Sequence, residues 1–166
     1  ERFQADKGQT CSIQKIEYDA VESYLKRSVV ENPKNEVESF FYEETTFDLT
    51  QVIKEHNRVV LVGDAGIGKT SELKRIANYF SDNKTIYYPF WVSLNTYINQ
   101  EIEDLFKPDW KVIPSNLVLF ILDGFDEIES KFKHDFIKRL ELFSGKHSEI
   151  TILLSCRTNF YKTETD

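Results

Sequence analysis

The chain has no methionine, two cysteines, four prolines and six glycines among its 166 residues. The missing methionine includes the initiator, because the chain opens Glu1-Arg2-Phe3, so a processed or excised chain with natural ends elsewhere is expected. Two cysteines as far apart as Cys11 and Cys156 do not make a disulfide framework. Cys156, inside the apolar run Ile150 to Cys156, reads as a small core residue rather than a reactive thiol. With no visible secretory signal, a reducing cytoplasm is the default location. No apolar run approaches the roughly 18 residues that a membrane-spanning helix needs. Positive charge is also short, with 21 Lys and Arg against 28 Asp and Glu and a net charge of −7. Phosphate backbones are bound by positive fields, so direct nucleic-acid binding is not expected. His56, His134 and His147 lack metal-ligand spacing and are expected at the surface. Internal repeats and low-complexity stretches are absent from the sequence.

What is present is ordinary globular composition, 40% hydrophobic and 30% charged, in a chain sized for one domain. Residues 1–17 are polar and aperiodic and are expected to be poorly ordered. A helical lead-in follows over residues 18–57. Its first helix runs from Tyr18 to Val30 on the spacing of Val21, Tyr24 and Leu25, and stops at Asn32-Pro33. The aromatic and acidic stretch Glu36 to Phe47 has no assignable pattern. Asp48 is a good N-cap for a short helix through His56, with Leu49, Val52 and Ile53 facing inward.

From residue 58 to 166 strands and helices alternate. Strands are expected at 58–62, 85–94, 117–122 and 150–155, with helices at 69–80, 96–106 and 131–143. The last helix should bury Phe132, Phe136, Leu140 and Phe143. Leu117 to Leu122 is apolar at every position, as in a strand covered on both faces. Such alternation predicts right-handed crossovers and a three-layer α/β fold, a mostly parallel sheet flanked by helices.

Chemistry concentrates at three points along this alternation. Gly63 to Thr70 reads Gly-Asp-Ala-Gly-Ile-Gly-Lys-Thr, a match to G-x-x-x-x-G-K-[ST] that chance would give on the order of once in two hundred chains this long. It follows one expected strand and opens an expected helix, as a phosphate-binding loop must. Gly63, Gly66 and Gly68 let the backbone curl until successive N–H groups point at phosphate oxygens. Asp64, Ala65, Ile67 and Ser71 complete the cradle, and the positive end of the helix adds to its field. Lys69 supplies a mobile cation for the β- and γ-phosphates, and the Thr70 hydroxyl is a magnesium ligand.

The second point is Leu117 to Glu127. A carboxylate at the carboxyl end of a buried parallel strand lies where open α/β sheets bind ligands, so Asp123 is placed to hold magnesium, through water. Either Asp126 or Glu127 could orient an attacking water, and Asp126 could instead cap the next helix or fix the loop. The third point is the exit of the last strand, where Ser155 and Arg157 reach the same sheet edge. Arg157 could sense the γ-phosphate or pair with Asp126 or Glu127.

Together these elements resemble the NACHT family of P-loop NTPases, in the signal-transducing class that includes animal and bacterial NLR-like proteins. Asp123-Gly124-Phe125-Asp126-Glu127 is similar to that family's magnesium motif, with a small residue after the aspartate and further acids three and four positions on. Many AAA-type ATPases place Glu where this chain has Gly124. Pro89 to Leu94 resembles the family's second strand, Ser155-Cys156-Arg157 its sensor strand, and Tyr24 to Arg27 the helix that precedes bacterial members. The resemblance covers about residues 20 to 161. It implies an ATP/ADP switch with Mg2+ and slow hydrolysis, serving signalling or defence, with self-association in the full-length protein. It also implies a core truncated before a helical segment, a winged-helix region and a sensor, so effector and sensor domains would lie outside this chain.

Two other functions share the same loop. A continuously hydrolysing AAA-type motor or loader fits less well with the displaced acids and the acidic composition. A small-molecule kinase would add an arginine-bearing lid, yet no arginine follows the second strand until Arg139. ATP is favoured by the resemblance, and GTP stays open although the Asn/Thr-Lys-x-Asp guanine motif is absent.

Overall fold

A computed structural model of the chain describes residues 29–30, 46–82 and 86–160. The expected disorder of residues 1–17 and the helix up to residue 28 lie outside these. The end of that helix is corrected: Val29–Val30 forms a short strand, β1, antiparallel to β2, Thr46–Phe47. Paired valines are β-branched and stiff, and they suit an extended backbone better than a helix terminus.

Helix α1, Leu49–Glu55, starts as its sequence requires. Asp48 Oδ1 accepts from the Thr50 N–H at 2.8 Å and from the Thr50 hydroxyl at 2.6 Å, satisfying an otherwise orphaned first-turn donor. Leu49 and Ile53 are buried and Val52 packs beside them.

Four strands make a wholly parallel sheet: β3 (Arg58–Val62), β4 (Tyr88–Ser93), β5 (Val118–Asp123) and β6 (Thr151–Cys156), in the order β3-β6-β5-β4. Pro89 is tolerated because β4 is an edge strand. Strand β5 is buried at all six positions, and its side chains alternate between two cores. Val118, Phe120 and Leu122 face one core, with Phe136 and Phe143 of helix α3 (Ser130–Lys146). Leu119 and Ile121 face the other, with α1 and with Leu73, Ile76, Ala77 and Phe80 of helix α2 (Lys69–Asp82). Helices on both faces of a parallel sheet give the three-layer α/β arrangement. No helix among the described residues is long and apolar enough to cross a membrane.

The helix expected at 96–106 does not form. Between β4 and β5 the chain runs through short 3₁₀ turns at Leu94–Thr96, Ile102–Leu105, Pro108–Val112 and Ser115–Leu117. Asn99 sits at φ 69° and breaks the helical path. Tyr97, Ile102, Phe106, Trp110 and Ile113 are nevertheless buried. Phe106 stacks on Phe120 with ring centroids 3.8 Å apart, and Trp110 meets the same ring edge-on.

Helix α3 differs in detail from expectation. Phe136 and Phe143 are buried while Phe132 and Leu140 are only partly covered, and Lys133 is buried instead. Arg58 ties the end of α3 to the sheet. Its guanidinium donates to the carbonyls of Ser144 (3.0 Å), His147 (3.1 Å) and Ile150. A cation there complements the negative end of the helix. His56 and His134 are exposed as expected, but His147 is half-buried, packed on Phe143 and Trp110 and bonded to Glu103 at 3.2 Å.

Candidate functional site

Parallel pairing brings all four carboxyl strand ends to one edge. Val62 is level with Cys156, Leu122 with Leu154, and Ser93 with Asp123. This edge is where open α/β sheets bind ligands. Strand β6 lies between β3 and β5, so its last residues can touch both neighbouring loops. Cys156 O accepts from Gly63 N at 3.3 Å, which extends the ladder into the glycine-rich loop. On the other side, Ser155 and Arg157 reach the loop that follows β5.

The glycine-rich loop leaves β3 at Gly63 and enters α2 at Lys69. Gly66 and Gly68 have φ of 76° and 91°, a backbone that side-chain-bearing residues rarely adopt. Gly63 is closely approached instead: a Cβ there would lie 3.1 Å from Cγ2 of the exposed Ile67. Asp64, Ala65, Ile67 and Thr70 are exposed, and Ser71 is half-buried at the first turn of the helix. The first-turn amides of α2, from Lys69 onward, have no intrahelical acceptor of their own, so they present donors to a ligand.

Lys69 curls back over this loop, and its ammonium donates to Gly63 O at 2.7 Å and Asp64 O at 3.0 Å. Among the described residues this ammonium has no carboxylate partner, and neutral carbonyls leave its charge uncompensated. The donor set therefore suits an anionic phosphate chain. Glu72, an acid in the same first turn, is buried and neutralised by Arg75, with Nη2 2.7 Å and Nε 3.0 Å from Oε1. Arg75 also lies 3.5 Å from Asp48, which links α2 to the cap of α1.

Asp123 ends β5 and is 8% exposed. Its Oδ1 accepts from the Ser155 hydroxyl at 2.7 Å, and Ser155 Oγ accepts from Gly124 N at 2.8 Å. The hard carboxylate oxygens and the exposed Thr70 hydroxyl are of the type that magnesium prefers. Gly124 adopts φ 88°. A Cβ at Gly124 would stand 3.0 Å from Glu127 Cδ and 3.1 Å from Oε2, because the Glu127 side chain lies across the glycine. The small residue after the aspartate is therefore explained by its backbone conformation, and the Glu127 side chain occupies the space beside it.

Asp126 and Glu127 share a 3₁₀ turn, Phe125–Glu127, but have different surroundings. Glu127 is exposed. The Asp126 side chain is 6% exposed and is held twice by one residue, Arg157: its Nε lies 2.8 Å from Oδ2 and its N–H donates to Oδ1 at 3.1 Å. Of the partners open to Arg157, the structure pairs it with Asp126. Cys156, 1% exposed, is a core residue. Burial, followed by the nearby Asp126 carboxylate, pushes its thiol up to about 11.

Two contributors to this edge were not assigned from sequence. The sequence places Ser155 at the edge without a partner, since a hydroxyl meeting an acid 32 positions away depends on strand register. Its signal is that it stands alone among apolar residues in Ile152 to Cys156. The second is Lys133 of α3, 4% exposed, with its ammonium 3.7 Å from the Phe160 ring centroid and 5.6 Å from that of Phe125. Phe125 follows Gly124 and Phe160 follows Arg157, so this cation joins the two loops through aromatic faces.

No curated protein matches the chain significantly in sequence. The family model for the NACHT domain matches residues 57–163, which takes in the glycine-rich loop, Asp123 and the Arg157 exit together. NACHT domains are nucleotide-binding NTPases that generally bind nucleotide with magnesium, and a match over well more than half of its length means that this chain belongs to the NACHT family.

Proposed function

We propose that this chain is the nucleotide switch of a NLR-like signalling or defence protein, binding ATP with magnesium and hydrolysing it slowly. The observation that carries the reading is the end of β6, where consecutive residues contact the phosphate loop (Cys156), the magnesium carboxylate (Ser155) and Asp126 (Arg157). One strand end thereby links the groups that would hold the triphosphate to those that would register its loss.

In this reading Lys69 exchanges its two carbonyl partners for β- and γ-phosphate oxygens, and the loop amides of residues 64–71 orient the chain of phosphates. Thr70 and Asp123 would hold magnesium, whose chemistry there is to neutralise charge developing on the phosphate oxygens. Glu127, exposed beside Gly124, orients the attacking water. Asp126 keeps the loop in place through Arg157, and Arg157 leaves it when a γ-phosphate offers a stronger anion. ADP would hold the longer protein closed and ATP would permit its self-association in the cytoplasm, with effector and sensor functions supplied by other segments.

The test is calorimetric titration of ATP with Mg2+ into the chain and its Lys69→Ala variant. Loss of measurable binding in the variant is expected, and unchanged affinity would sink the site assignment. Single-turnover hydrolysis then examines Glu127→Gln, which is expected to bind normally and cleave slowly. A normal rate in that variant would move the water-orienting role to Asp126.

A further inference from the structure

We propose that Ser155 is a positioning residue that fixes the Asp123 carboxylate so that one chosen oxygen, Oδ2, faces the magnesium. The proposal rests on the nucleotide reading above.

Ser155 is 1% exposed, in a strand whose neighbouring positions are apolar. A buried hydroxyl is costly unless it is hydrogen-bonded, so its bonds explain its presence. The direction of those bonds follows without seeing a hydrogen. Gly124 N–H can only donate, so Ser155 Oγ must accept from it at 2.8 Å. The hydroxyl's single proton is then committed to Asp123 Oδ1 at 2.7 Å. Asp123 must accept there, which occupies Oδ1.

The result is a one-way relay, Gly124 N–H to Ser155 Oγ–H to Asp123 Oδ1, that holds the carboxylate from behind. Oδ2 is the carboxylate oxygen that this relay does not occupy. The relay also anchors the Gly124 amide, the first of the loop after β5. Partners behind a metal ligand orient it, and their loss typically lowers metal affinity by about 10- to 100-fold.

The experiment titrates Mg2+ against the full chain at a fixed concentration of a fluorescent ATP analogue, for wild type, Ser155→Ala and Ser155→Thr. Folding is checked by circular dichroism. In Ser155→Ala the half-saturating Mg2+ concentration should rise by about tenfold or more. Nucleotide affinity in excess EDTA should stay near the wild-type value, a separation that a general loss of structure would not produce. Ser155→Thr keeps the hydroxyl on a residue suited to strands, and should restore the Mg2+ midpoint.

An unshifted midpoint in folded Ser155→Ala would overturn the proposal, as would a Thr variant impaired as badly as the Ala variant. If Ser155→Ala does not fold, Ser155→Cys takes its place. A weak S–H donor should raise the midpoint part of the way, and no change would overturn the proposal. Wild-type protein whose nucleotide binding ignores both Mg2+ and the Lys69→Ala change would overturn the nucleotide reading itself, and this proposal with it.

Discussion

Replacing Gly124 by alanine separates two effects that coincide at the Asp123 loop. The first is backbone strain. At φ 88° and ψ 54° a residue with a Cβ is disfavoured by roughly 1–2 kcal/mol. The second is contact, since the new Cβ would stand 3.0 Å from Glu127 Cδ. Glu127 is exposed and that contact is with the far end of a flexible side chain, so it can swing away at little cost in stability. Against the strain, alanine restricts the unfolded chain and returns roughly 0.4–1 kcal/mol. The net destabilisation is therefore about 1 kcal/mol, a drop in Tm of about 2–4 °C for a chain of this size. Function should suffer more than stability, because the displaced Glu127 no longer sits where the loop holds it. ATP binding should persist while single-turnover hydrolysis falls by about a hundredfold, the lower end of the range that a positioned acid or base contributes. Thermal and urea unfolding give the first number, provided that both transitions are two-state. The double variant Gly124→Ala/Glu127→Ala is the critical control. If it recovers all the lost stability, contact and not backbone conformation sets the cost, and the reasoning fails. Gly66→Ala, with φ 76° and no atom within 4 Å of the added Cβ, should lose a similar amount from strain alone.

Three further outcomes can be checked. Hydrogen bonds from Lys146, then His147, hold the Glu103 carboxyl below its ordinary value of 4.5, so its contribution to stability is fully present above that pH and is lost as pH falls through the lower folded value. Thermal melts across the acid range should show a shallower decline for Glu103→Gln than for wild type, and parallel curves would refute this linkage. Arg157→Ala removes one of the two donors to the nearly buried Asp126 carboxylate and should cost about 1–3 kcal/mol in urea unfolding. A double-mutant cycle with Asp126→Ala that shows no coupling would refute that pairing. Cys156, with its thiol pushed up to about 11, should resist alkylation at pH 8 until denaturant is added, and peptide mapping that finds it modified in the native chain would contradict its burial.

The strands were legible because they are short apolar runs in a sheet covered on both sides. Val118 to Asp123 is the clearest, with every position buried. The turn after β3 was legible because its glycine spacing reflects backbone geometry: Gly66 and Gly68 do take positive φ. The region from 96 to 106 misled because Tyr97, Ile102 and Phe106 recur at near-helical intervals. Their burial comes from side chains anchored one by one on the sheet, not from a continuous helical face. Lys133 was hidden for a related reason, as the helical spacing of the phenylalanines marks Phe132 for the core while the fold buries the neighbouring lysine against two rings. Contacts that depend on register across strands, such as Ser155 with Asp123, leave no periodic trace at all.

The 3₁₀ crossover between β4 and β5 has a consequence for the order of folding. An α-helix can begin to form from local hydrogen bonds, but these turns are three to five residues long and hold few of their own. What fixes them is Phe106 and Trp110 against Phe120, a residue that becomes a platform only once β5 lies in the sheet. The crossover is thus expected to consolidate after the sheet. Truncating Trp110 should speed unfolding while barely slowing refolding, and a φ-value well above zero would reverse that order.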